Sequence, residues 1–326
     1  MSSMDLRISI QAGPTDRSSW LQLAREVESA GFHALYAADH PGSTASPFVA
    51  LAAAASVTER IQLGTCVVNA GVWEPVMLAG EVATLDVVSD GRAILGVGAG
   101  HTPSEWTSAG RPFPSGRERV ERMIETVEAT TALLDRGAAS YSGNYVTLVD
   151  ATLDAPKPVR ARIPLLVGGN GSRVLGFAAR RAEIAGITGL ARTLADGHRH
   201  EAAWHRDTTR QQLEAITSDA RDAGRNPEVE ALVQVIQITD RPRPAAERFL
   251  PFIAGVSVDD LLGSPFAWIG SVDEVSEKLR HYAELGVRNY VVRATALADA
   301  RRILDANRSS GLGNTVCGGH GPGTLA

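Results

Sequence analysis

Three short stretches of this chain carry side chains suited to chemistry. At 168–172 the run Gly168-Gly169-Asn170-Gly171-Ser172 precedes a helical pattern. Free backbone N–H groups and a serine hydroxyl at a helix start make an anion site, and phosphate is the anion such turns hold. The competing reading is a tight turn with Ser172 as the helix cap. At 39–40, Asp39 and His40 follow an apolar run. A neutral imidazole takes or gives a proton near pH 7, and a nearby carboxylate fixes its tautomer. Adjacent strand residues point to opposite faces, so Asp39 need not be that carboxylate. At 98–106, Gly98-Ala99-Gly100 lets backbone approach a partner closely, and His101, Glu105 and Trp106 follow. If Pro103 opens a helix, His101 and Glu105 share one face four residues apart. This pair lacks a third ligand, and no metal is expected there. Trp73 and Trp106 are candidate pocket walls. Arg111, Arg117 and Arg293 are candidates for meeting anionic groups, or plain surface guanidinium.

Each stretch lies just after a short apolar run, which asks what places them. Period-two or continuous apolar patterning predicts strands at 6–11, 32–37, 61–68, 93–97, 164–167, 184–187, 228–239 and 288–292. Helical patterns lie between most of them. Asp16 caps one in which Trp20, Leu21, Leu23, Ala24, Val27 and Ala30 recur at helical spacing, and Gly31 stops it. Another runs over 116–134, and a hairpin over 139–148 is an excursion from the main sheet. Eight strands, nearly all followed by helices, predict an α/β protein of the (β/α)8 TIM-barrel class. A doubly wound open sheet is the rival, but the first strand lacks a G-x-G-x-x-G turn. A barrel gathers every strand end named above into one mouth. The expected organisation is one barrel domain over 1–308, a polar lid or insertion at 190–209, and a flexible glycine-rich tail at 309–326.

Composition bounds the partners. The 326 residues are 44% hydrophobic and 21% charged, with a formal net charge of -5 and no dense basic run. That argues against nucleic acid as the main partner. No apolar run is long enough to cross a bilayer, and the first residues show no export pattern, so a cytoplasmic protein is expected. Two cysteines, Cys66 and Cys317, cannot make a disulfide framework.

Read together, AGPTDRSSWLQLAREVESAGF, LYAADH, TERIQLGTCVV, EVATLDVVSDGRAILGVGAG, PLLVGGNG and the late WIGSVDEVSEKLRHYAELGVRNYVV resemble the luciferase-like monooxygenase superfamily. The resemblance covers nearly the whole chain, and the order of the motifs is its specific part. The branch it is most similar to is that of coenzyme F420-dependent oxidoreductases. The resemblance implies a luciferase-like barrel with insertions, the deazaflavin F420 (or FMN) as coenzyme, a small-molecule substrate and a homodimer. It implies that His40 is an acid–base group beside the reactive ring. It also implies a cis peptide at Cys66–Val67, in the segment Thr65-Cys66-Val67, forming a bulge behind that ring. Gly98, Ala99 and Gly100 match the turn at the ring and its tail; Gly168, Gly169 and Ser172 match the phosphate turn, with Asn170 and Gly171 inside it and Asp39 beside the ring. Sugar-phosphate dehydrogenases of the superfamily have a glutamate where this chain has His101, with Glu105 four residues later. The proton donor is therefore sought among His40, His101 and Glu105, with a tyrosine or water as further candidates. The expected activity is hydride transfer between the deazaflavin and a C=C, C=N or C=O group. A reduced-FMN monooxygenase using O2 and a non-catalytic cofactor- or partner-binding barrel are the alternatives.

Overall fold

In the computed structural model, which describes residues 6–193 and 200–309, eight parallel strands close into a barrel. They are β1 (Arg7–Gln11), β2 (Ala34–Ala37), β3 (Gln62–Thr65), β4 (Ala93–Gly98), β5 (Leu165–Gly168), β6 (Ile184–Ile187), β7 (Glu228–Leu232) and β8 (Val287–Arg293). Each pairs with its sequence neighbours, and β8 pairs with β1 to close the ring. The predicted (β/α)8 barrel is the observed one.

The helices lie outside and bury one stripe each. Helix α1 (Arg17–Ala30) buries Trp20, Ala24, Val27 and Ala30; Asp16 caps it by accepting from the Ser19 N–H, and Gly31 ends it at φ 76°. Helices α2 (Pro47–Ala55) and α3 (Pro75–Val88) open on prolines, which lose nothing at a first turn. They are followed by the short α4 (Pro103–Ser108) and the long α5 (Gly116–Arg136), whose start is fixed by a Ser115–Glu118 capping box. Next come α6 (Ser172–Arg181), α7 (Arg206–Asp222), α8 (Pro242–Phe249), α9 (Val258–Gly263), α10 (Val272–Glu284) and α11 (Leu297–Ser309). The hairpin expected at 139–148 pairs 138–142 with 147–152.

Two strands differ from the sequence expectation. The third, predicted as continuous over 61–68, stops at Thr65 and resumes as Val68–Asn69. The Cys66–Val67 peptide between them is cis, as the resemblance implies. The seventh, predicted over 228–239, ends at Leu232. Val235–Ile238 leaves the barrel and pairs in parallel with Ala267–Gly270, where Trp268 is fully buried. Two apolar runs separated by two residues read as one strand in a pattern that cannot see the change of partner.

Of the stretch read as a lid, 190–193 and 200–202 pair antiparallel and α7 begins at Arg206; residues 194–199 lie outside the described residues. So do 310–326, and with them Cys317 and nearly all of the predicted tail. Among the described residues no helix is long and apolar enough to cross a membrane.

Inside the barrel, Ala34, Tyr36, Ile94, Leu166, Ile184 and Val291 form an apolar layer. A polar cluster sits with it. The Ser9 hydroxyl donates to Asn289 Oδ1 (3.2 Å), while Asn289 Nδ2 (2.5 Å) and the Tyr36 hydroxyl (3.1 Å) donate to Glu230 Oε2. All four side chains are buried. Burial pushes the Glu230 carboxyl up to about 8, against the opposing pull of the Tyr36 bond.

Candidate functional site

The break in β3 shapes the mouth at the carboxyl ends of the strands. A Cβ on Gly98 would lie 2.6 Å from Val67 Cγ2, so only glycine there admits the Val67 side chain. Gly100, at φ 70°, plays the same part for Asn69: a Cβ would lie 2.0 Å from Asn69 Oδ1. The gap that the sequence suggests above Gly98-Ala99-Gly100 is thus filled first by the chain itself. Cys66 and Val67 remain half-buried and pack against the interior apolar layer. Thr65 is fully buried, with its hydroxyl donating to Gly96 O (2.8 Å) and accepting from Gly96 N (2.9 Å). It anchors the strand end and does not face the mouth.

A connected polar group covers the side of the mouth built by β2 and β4. His40 Nδ1 lies 2.6 Å from Glu105 Oε1, and Asn69 Nδ2 donates to Glu105 Oε2 at 2.7 Å. The Gly71 N–H in turn holds Asn69 Oδ1 (2.8 Å). The Glu105 side chain is 4% exposed and that of His40 is 40% exposed. A buried carboxylate beneath a half-open imidazole is the arrangement that orients a proton carrier. The Glu105 hydrogen bond raises the His40 pKa, more than burial lowers it. Burial pushes Glu105 upward, but the bonds from His40 and Asn69 outweigh it and hold its carboxyl below the usual range.

Asp39 is not the partner of His40. Its Oδ2 accepts from Trp73 Nε1 (2.7 Å) and the Asn69 N–H (3.2 Å), and burial raises its pKa despite both bonds. Trp73 therefore reaches the site through Asp39, while Trp106 is only 2% exposed, on α4 and inside the protein, and walls no pocket. Pro103 opens α4 as the sequence suggests, with Glu105 in its first turn. Thr102 is the N-cap of α4, so His101 lies outside the helix and shares no helical face with Glu105. His101 instead meets His40 edge to face, with ring centroids 5.8 Å apart.

The 168–172 turn also separates into parts. Gly168 ends β5, and the Gly169 N–H is used by Gly186 O (3.0 Å). Asn170 is committed to structure: its Nδ2 donates to Thr188 Oγ1 (2.5 Å) and Leu190 O (2.7 Å), and its Oδ1 accepts from Thr188 N and Gly189 N (both 3.0 Å). Gly171 is the N-cap of α6 and supplies no side chain, and Ser172 is exposed at the first helical position. The α6 amide groups have no intrahelical acceptor at this end, which leaves them directed at solvent.

Sequence reasoning did not single out Asn69, Gln11 or Gln234. Gln11 Nε2 donates to Cys66 O (2.6 Å), and Gln234 Oε1 accepts from Arg293 Nη2 (3.1 Å). All three end barrel strands or follow them closely, the one signal that points to them. Arg111 and Arg117, candidates for anionic ligands, are held by Glu74 and Glu121 of the chain. Among the described residues no cluster of three or more His, Cys, Asp or Glu is arranged to hold a metal ion.

A model of the luciferase-like monooxygenase family matches residues 3–261. An uncharacterized Mycobacterium tuberculosis protein is 40% identical over 129 residues, 40% of this chain and 44% of that protein, so the chain spans less than half of that relative's length. The F420-dependent glucose-6-phosphate dehydrogenase of Intrasporangium calvum is 28% identical over 86% of this chain and 89% of that one. Among solved structures, the coenzyme F420-dependent tetrahydromethanopterin reductase of Methanopyrus kandleri superposes with a TM-score of 0.73 at 20% identity, covering 92% of this chain and 97% of that one. That likeness establishes the shared barrel.

Proposed function

The chain belongs to the luciferase-like monooxygenase family, and on that premise we propose that it is an oxidoreductase using coenzyme F420 to transfer a hydride to or from a small organic substrate. The observation that carries the reading is the His40–Glu105–Asn69 group beside the half-buried Cys66–Val67 bulge. The residues present fit such a coenzyme. The α6 amino end is open, glycine-capped and flanked by the Ser172 hydroxyl, which suits a phosphate. The Cys66–Val67 surface is apolar and offers a flat ring a face to lie on.

The coenzyme supplies the hydride chemistry when bound; the chain supplies orientation and proton management. Glu105, fixed by Asn69, holds His40 Nδ1 and leaves Nε2 as the ring nitrogen that exchanges a proton with substrate. Asp39 keeps the β2 end in place through Trp73 and the Asn69 N–H. His101, against the His40 ring, limits its rotation. The reacting group is a C=C, C=N or C=O. One alternative, a monooxygenase, is supported by the family to which the chain belongs, and in this reading reduced FMN takes the place of F420.

Equilibrium titration with F420 and with reduced FMN separates the two. F420 binding in the micromolar range is expected, weakened about tenfold by Ser172→Ala with the thermal midpoint unchanged. Binding of FMN alone, with oxygen consumed on adding substrate, overturns the proposal. Unchanged F420 affinity in the variant removes the phosphate assignment.

The reading extends to a homodimer formed through α2 and α3. Val49 on α2 is 69% exposed, and α3 exposes Met77 (63%) and Val76 in its first turn and Val88 at its end. Exposed apolar side chains on two packed helices are the kind of surface that partners cover. Light scattering is expected to give a dimer for the wild type and a folded monomer for Met77→Glu. A wild-type monomer at micromolar concentration rejects this surface.

A further inference from the structure

The part of the mouth built by β6, β7 and β8 takes no part in the acid–base group, yet it holds a cation. Arg293 ends β8, two and four residues beyond Val291 and Asn289, which both face the barrel interior. Side chains in a strand alternate, so Arg293 points the same way, at the level of the mouth. Its register partner in β1 is Gln11, whose side chain reaches Cys66 O there. Arg293 is exposed and lies within electrostatic range of both Cys66 and His40.

The guanidinium is held by neutral groups. Nη1 donates to Val233 O (3.3 Å) and Nη2 to Gln234 Oε1 (3.1 Å). Gln234 is braced by Thr188 O and Leu232 O, both 3.4 Å from its Nε2. Among the described residues no carboxylate pairs with Arg293, whereas Arg111, Arg117 and Arg122 each have a glutamate. A guanidinium carries five N–H donors in a planar fork, and two are used. Part of the group stays open to the mouth, while burial of the rest lowers its pKa and strengthens its demand for a counter-ion.

We propose that Arg293 receives a carboxylate of the substrate, so that the substrate class is an unsaturated or oxo carboxylic acid. The term substrate rests on the oxidoreductase reading above; the carboxylate site does not. The carboxylate stays intact. The double bond takes a hydride from the reduced coenzyme at one atom and a proton from His40 at the other, and the coenzyme is oxidised in the same step. Arg293 sets which end of the molecule lies toward β8, and a planar fork suits a carboxylate better than a point charge does.

The test uses trans-cinnamate and its methyl ester as probes, titrated calorimetrically into the full chain with and without oxidised F420. The wild type is expected to bind the carboxylate at least tenfold more tightly than the ester. Arg293→Met should abolish that preference, and Arg293→Lys should keep part of it, with F420 affinity within about twofold of wild type in both. Equal affinity of the wild type for the two probes, no carboxylate binding at millimolar concentration, or a preference that survives Arg293→Met overturns the proposal. So does a tenfold loss of F420 affinity in Arg293→Met with the preference intact, which assigns the guanidinium to the coenzyme. Failure of the wild type to bind F420 rejects the F420-dependent reading instead, and the coenzyme-free titration still reads Arg293.

Discussion

Replacing His40 by alanine is expected to lower turnover about 100-fold while leaving F420 affinity within about threefold. The assay is the rate at which the reduced deazaflavin is consumed with an acceptor that the wild type reduces. The loss corresponds to about 2.7 kcal/mol of transition-state stabilisation. It is specific to the proton because His40 is half-open while its support is buried: Glu105 and Asn69 stay in place when the imidazole goes. Glu105→Gln tests the same group from beneath. The Glu105 hydrogen bond raises the His40 pKa, so removing the charge lets that pKa fall. For a reduction in which His40 donates, activity declines as pH rises through its pKa. That alkaline limb should move to lower pH in Glu105→Gln. Full activity of His40→Ala, or a limb that does not move in Glu105→Gln, sinks the assignment.

The second large effect concerns stability. Glu230 titrates at about 8 in the folded barrel, against 4.5 as its reference value, because burial disfavours the carboxylate. A folded acid with a raised pKa binds a proton that the unfolded chain has released. The stability it supports is present below pH 4.5 and is lost progressively as pH rises toward 8. Glu230→Gln removes the proton uptake and keeps an oxygen to accept from Tyr36 or Asn289. The variant is expected to be more stable at pH 8 by about 2–4 kcal/mol and to unfold at least about 5 °C higher. At pH 5 the two proteins should differ much less. Parallel stability–pH curves for wild type and variant would contradict a buried, proton-bearing Glu230.

How much of this was legible depended on whether the partners were local. The barrel was readable because each strand repeats a two-residue pattern and each helix a 3.6-residue one, and a cap such as Asp16 announces itself within four residues. The pairing of Glu105 with His40 crosses 65 positions, and no spacing rule reaches that far. Helical spacing instead offered His101, which the Thr102 N-cap leaves outside α4 and against the His40 ring. The fit of Val67 beside Gly98 was hidden for the same reason: a glycine after a strand shows that something comes close, not what. Glu230 was hidden differently. An acidic residue in a short strand reads as solvent-facing, and only closure of the barrel turns that face inward.

Asn170 has a mechanical consequence. Its side chain makes four hydrogen bonds to Thr188, Gly189 and Leu190, and its carbonyl oxygen takes the amide of Gln212 on α7 (3.2 Å). The turn before α6 and the first residue of the ribbon formed by the strand pair 190–193 and 200–202 are therefore joined by one rivet. Neither can open locally without breaking several bonds at once, so the two behave as one cooperative unit. Whatever immobilises the amino end of α6 also tightens the base of the ribbon, with no contact between the ligand and the ribbon itself.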